Sequence, residues 1–218
     1  MSLQSTKLNT NPRGRPVDET ARSERRRQIV TAALRCFSQK GFHATSTAEL
    51  SAAAEISVAG LYQYFQTKAD LIQAIIEYGL ESNLTLIRRL DHFDDFYKGL
   101  EHLAHFIAQD ETTLMHCRLQ LEITAEAGRV ANVAQQVLAA ETKLIEAIVP
   151  IIRREQSKGR IDPDLNPELA TNVILSFFDG VTQRLTIPAK NQEEFVRMSI
   201  HMIERAIAPR NQPSPQKL

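Results

Sequence analysis

The sequence reads as an all-α protein of about nine helices, a three-helix head followed by a larger helical body. Three observations carry that assignment. Apolar residues recur at steps of three and four, and beyond Leu90 no period-two alternation competes with them. Helix-start chemistry punctuates the runs: Ser46 with Glu49 three positions on, Ser57 before a short apolar segment, and Asn166-Pro167. Helix stops are equally marked, by Gly41 and by Pro188.

The first helix is expected from about Asp18 to Lys40, with Ile29, Ala33, Leu34 and Phe37 on one face and Arg22, Arg25, Arg26 and Arg27 elsewhere. Ser46 and Glu49 form a capping box that starts a second helix running to about Ala54. After the break Glu55-Ile56-Ser57, the Ser57 side chain caps a third helix to about Phe65. Two helices this short and this closely joined must cross steeply, which reads as a DNA-binding helix-turn-helix. Leu50, Ala53, Ile56, Leu61 and Phe65 then point inward, and Val58, Ala59, Tyr62, Gln63 and Tyr64 are left for the outer face. Phe37, Phe42, Ile29 and Leu50 would build the small core of the head.

A fourth helix from Lys68 through Leu71, Ile75, Tyr78 and Leu84 is long enough to leave the head and act as a lever between domains. Amphipathic helices follow at about 94–109, 111–127, 130–158, 167–186 and 193–208. Pro150 falls inside the third of these, where it removes a backbone donor and should kink the helix. The expected divisions are a basic arm at 1–17, a helix-turn-helix domain at 18–67, a helical effector-binding and dimerisation domain at 68–208, and a disordered tail at 209–218.

The order Thr45, Ala48-Glu49-Leu50, Ser57, Leu61-Tyr62-x-Tyr64-Phe65, Lys68 and Leu71 resembles the N-terminal domain of the TetR family of bacterial transcription regulators, over roughly fifty residues from Arg22 to Leu71. The stretch Gly159-Arg160-Ile161-Asp162-Pro163-Asp164-Leu165, with Asp179-Gly180 further on, is similar to the ligand-binding half of members of the choline-regulator type. One position departs: the family usually has Gly in the turn where this chain has Glu55, and a left-handed Glu costs on the order of 1 kcal/mol.

DNA-binding roles can be assigned on that basis. Thr45 and Ser46 offer hydroxyls and a helix start to a phosphate, and Ser57 caps the reading helix. Tyr62, Tyr64 and Lys68 match family positions that hold the backbone or a base edge; the alternatives are core packing for the tyrosines and a solvated helix start for Lys68. Gln63 carries the paired donor and acceptor that suit adenine. Val58, Ala59 and Gly60 have no polar side chain, so they meet thymine methyls or simply let the helix come close. Arg13 and Arg15, in Arg13-Gly14-Arg15-Pro16, resemble an AT-hook core that follows an A·T-rich minor groove; the alternative is a solvated tail. Double-stranded operator DNA is the implied macromolecular partner.

The resemblance also implies a homodimer and a small effector. Val173, Phe177, Phe178 and Val181 on one late helix, and Phe195, Met198 and Met202 on the next, make apolar faces too broad for one neighbour, which suits a four-helix bundle with a second copy. The alternative is an internal core helix. For an apolar or amphipathic effector the expected lining is Phe93, Tyr97, His105, Phe106, Met115, Leu119, Glu122 and Phe177. His102 and His105 share a face but lack a third ligand at metal spacing, and no cofactor or metal is expected.

Charge distribution agrees with this division. The 218 residues have a formal net charge of zero, yet residues 1–68 hold ten Lys/Arg against five Asp/Glu, net +5, and the remainder is net −5. The basic end suits phosphate, and the acidic remainder must face away from it. Two cysteines without metal spacing and a polar N-terminus without a signal core point to the cytoplasm, and no apolar run reaches membrane-span length. The absence of a phosphate-binding glycine loop, a nucleophile elbow and a carboxylate-histidine metal set argues against an enzyme. The rival reading is a helical ligand carrier or scaffold whose head no longer binds DNA.

Overall fold

A computed structural model describes residues 19–209 apart from Asp91 and Pro188. The arm with Arg13 and Arg15, the end-signal Pro188, and the tail beyond Pro209 therefore lie outside the described residues. Among those described, the elements are nine helices: α1 (Glu19–Lys40), α2 (Thr47–Ala53), α3 (Val58–Tyr64), α4 (Lys68–Leu90), α5 (Phe96–Gln109), α6 (Glu111–Ala127), α7 (Ala131–Ser157), α8 (Pro167–Leu185) and α9 (Gln192–Ile207). Their limits follow the caps. Asp95 accepts from the N–H groups of Tyr97 and Lys98, Asp110 from Thr113, and Asn166 from Glu168 and Leu169.

Two helices end in the same motif. After α2 the N–H of Ile56 donates to the Ser51 carbonyl at 3.0 Å and that of Glu55 to Ala52 at 3.1 Å; after α7 the N–H of Arg160 donates to Glu155 at 3.0 Å and that of Gly159 to Gln156 at 2.9 Å. Both are Schellman closures, which require a left-handed residue at the pivot. Gly159 has φ 70°, and Glu55 takes φ 54° without glycine's freedom. The turn thus keeps the geometry a glycine would give, and Ile56, packed against the head core, anchors it.

Two apolar cores are stacked along the molecule. The first joins α1 to α4 through Ile29, Phe37, Leu50, Leu61, Phe65, Leu71 and Ile75 and continues into Leu119, Ile123 and Val133 of α6 and α7. The second runs from Leu90 through Leu100, Ile152, Ile161 and Ile174 to Ile207. Helix α4 takes part in both, packing along α7 between them. One sequence expectation fails: Ala53 is exposed and Ala54 is buried. Ala54 lies four residues from Leu50, one helical turn on the same face, whereas Ala53 is rotated off it.

The turn after α7 ties the body together. Buried Glu155 accepts from Arg160 Nε at 2.5 Å and from Arg154 and Lys158. The Tyr97 hydroxyl donates to the Arg160 carbonyl at 3.1 Å, Gln156 Nε2 donates to the Asp162 and Leu165 carbonyls, and the Asp162 N–H donates to Ile207 at 2.8 Å. This segment joins α5, α7 and α9 at one point.

Candidate nucleic-acid interface

The second and third helices are fixed by their own caps. Ser46 Oγ accepts from the Glu49 N–H, and the Glu49 carboxylate accepts from the Ser46 N–H at 2.8 Å. The same carboxylate pairs with Lys40, and these contacts, Lys40 first and Ser46 next, lower its pKa to about 2. Ser57 Oγ accepts from the Gly60 N–H at 3.0 Å and starts α3. Val58, Ala59, Tyr62 and Gln63 then form one exposed face, with Val58 41% and Tyr62 47% exposed, while Leu61 between them is buried.

Three expected contact residues have partners within the head. Thr45 is 1% exposed, and its hydroxyl donates to the Gly41 carbonyl at 2.8 Å, so it locks the loop before α2 and does not face a phosphate. Tyr64 is half-buried against the head core with the Arg22 guanidinium 5.9 Å from its ring, because it lies three residues from Leu61 and shares the inner side. Lys68 Nζ donates to the Phe42 carbonyl at 2.9 Å and sits 5.1 Å from that ring's centroid. It secures the start of α4 to the α1–α2 loop with one of its three donors. Sequence reasoning expected Phe42 in the head core but overlooked His43 and the loop's contacts with α4 and α6, because the loop shows neither periodicity nor a cap.

The eight residues expected to line one effector cavity lie in three places. Leu119 and Met115 pack in or against the first core, with Glu122 nearby above Gly41. Phe96 and its neighbour Tyr97, and Phe177, belong to the second core, and Phe93 packs on Gly99 and His102. His105 and Phe106 are exposed, the latter under Arg89 at 5.2 Å. Aromatic and thioether content chose them, and in a helical bundle the same residue types serve the core. Beside the first core, the His116 ring stacks on Tyr78 at 5.2 Å and 8°, with its Nε2 buried and without a hydrogen-bond partner among the described residues. Burial lowers its pKa to about 4.

On the late helices, Leu169, Val173, Met198 and Met202 are 66%, 58%, 51% and 60% exposed, and Phe195 is exposed beside them. Phe177 and Phe178 are half-buried. Val181 is the exception: it lies seven residues after Ile174 on the inward side of α8 and is buried within the protomer's own core.

The comparisons with known proteins agree with this arrangement. The family model for bacterial regulatory proteins of the tetR family matches residues 29–75, and the model for the BetI-type transcriptional repressor C-terminal domain matches 100–208. The HTH-type transcriptional regulator UidR of Escherichia coli strain K12 is 30% identical over 168 residues, 75% of this chain and 82% of that one. Salmonella enterica GusR superposes with a TM-score of 0.71 at 26% identity, over 84% of this chain and 93% of that one. AibR, crystallised with isovaleryl coenzyme A and operator DNA, shares the fold at a TM-score of 0.63 and 18% identity, over 85% and 99% of the two chains. None of the described helices is long and apolar enough to cross a membrane. The chain belongs to the TetR family of helix-turn-helix proteins, and is a DNA-binding regulator of transcription, not an enzyme.

Proposed function

We propose that two copies of this chain bind a near-palindromic operator as a cytoplasmic repressor and leave it when each body takes up a small apolar or amphipathic effector. The observation that carries the DNA half is the exposed face Val58, Ala59, Tyr62 and Gln63 on a capped helix at the basic end of the chain. Its composition suits apolar contact with thymine methyls and adenine reading by Gln63, with Ser46 at the helix start and the Arg13–Arg15 arm adding phosphate and minor-groove contacts. Tyr64 and Lys68 act indirectly, by fixing the recognition helix and the loop beside it. The exposed α8 and α9 face supplies the dimer contact that places two such helices about 34 Å apart. The AibR structure offers a precedent for one fold holding both operator DNA and an acyl-coenzyme A.

Our reading puts the effector beside Tyr78 and His116, supported by an enclosed, unpartnered imidazole nitrogen that suits a ligand hydroxyl or amide. A ligand there would wedge α4 from α6 and bind the non-DNA geometry better, as any inducer must.

Selection of bound fragments from random and genomic DNA with the purified protein tests the reading. An enriched near-palindrome, with affinity falling steeply with salt, is expected; absence of enrichment at low salt would sink it in favour of a scaffold. A scaffold reading would rest on Glu55, the departure from the family's turn glycine. Its turn nevertheless closes with the normal left-handed geometry, so the head is intact.

A further inference from the structure

We infer that Glu126, His43 and Phe42 form a directed attachment between body and head, beside α4 and the shared core, and that this attachment sets the operator spacing the dimer accepts. The inference rests on the operator-binding reading above. Helix α4 is the continuous link: Leu71, Ile72 and Ile75 belong to the first core and Leu90 to the second. The first core also joins α1 to Leu119 and Ile123 of α6, and apolar packing of that kind is not directional, so it fixes the head's angle about the α4 axis less sharply than a directed polar contact does. A directed attachment away from the axis fixes that angle.

The loop from Gly41 to Ser46 provides one. His43 Nε2 lies 2.9 Å from Glu126 Oε2 in the last turn of α6, and Arg129 Nη1 lies 3.5 Å from the same oxygen. The Glu126 side chain is only 10% exposed, and His43 and Arg129 are the groups that reach its carboxylate. Phe42 packs edge-on against Phe37 at 5.1 Å and, with Leu119, Ile123 and Glu126, borders a void of only about 10 Å³. From the other side Lys68, the first residue of α4, holds the Phe42 carbonyl. The loop that delivers Ser46, the cap of α2, is therefore gripped by α6 and α4 together.

Operator spacing is the quantity this grip controls. Each added base pair moves the second half-site by about 3.4 Å and turns it by about 34°. A 2.9 Å contact and a close-packed ring do not survive a head rotation of that size. Glu126 and His43 are thus positioning residues, remote from the DNA-facing side chains, that hold the two recognition helices in one register.

The test uses the selected operator and versions with one base pair added to or removed from the spacer. The wild-type dimer is expected to lose affinity at least about tenfold for either change. His43→Ala and Glu126→Leu should bring the loss within about threefold, leaving base preference inside each half-site unchanged. His43→Gln, whose amide can still donate to Glu126, should restore most of the discrimination. A merely structural role would lower melting temperature without altering spacer choice. Folded variants that keep wild-type spacer discrimination overturn the inference; should Glu126→Leu fail to fold, the exposed His43→Ala decides alone. A wild-type protein that selects no operator would refute the underlying reading first, before any variant is compared.

Discussion

Glu55 shows how a single backbone angle can be separated from fold and function. Its φ of 54° belongs to the Schellman closure of α2, which Ile56 and Leu50 hold from inside. Replacing it by Gly removes left-handed strain and should raise stability by about 1 kcal/mol, read by urea unfolding. Operator affinity should stay within about twofold, since the turn geometry is already that of glycine. His116 makes an independent prediction. Its folded pKa of about 4 lies below the ordinary 6.5, so the unfolded chain takes up the proton first. The stability it supports is complete above pH 6.5 and is lost as pH falls toward 4, by an amount on the order of 3 kcal/mol. His116→Phe should flatten that part of the stability–pH curve; an unchanged slope would show that the ring is not held neutral.

Between elements, α4 comes close to α6 at Gly79. A Cβ on Gly79 would stand 3.0 Å from His116 Cε1, and the ring cannot easily yield because Tyr78 stacks on it. Gly79→Ala should therefore destabilise by about 1–3 kcal/mol despite the better helix propensity of alanine, and a neutral or positive change in melting temperature would show that α4 and α6 slide freely. Helix limits were legible because caps are local chemistry: Ser46, Ser57 and Asn166 each bond within three residues of themselves. The α1–α2 loop was not, because Phe42 and His43 are held by residues 26 and 83 positions away.

At the scale of the whole molecule, the exposed stripe of Leu169, Val173, Met198 and Met202 has no cover within the protomer. Met202→Asp combined with Val173→Asp should convert the dimer to folded monomers in sedimentation and lower operator affinity by at least about a hundredfold, because two half-sites are then bound independently. Dimers that persist would move the interface elsewhere. The +5 and −5 halves orient such a dimer on DNA, the basic heads inward and the acidic bodies away.

Periodicity, caps and charge distribution determined the helical class, the helix limits, the reading helix and the uncovered late-helix stripe, since each depends on interactions within a few residues or on one helix face. Tertiary structure alone decided which side chains have neighbours. It buried Thr45, gave Tyr64 and Lys68 partners within the head, buried Val181 in its own protomer and separated the expected effector residues into three groups. A helix fixes the direction of each side chain about its own axis, but only packing against distant segments determines what that side chain meets.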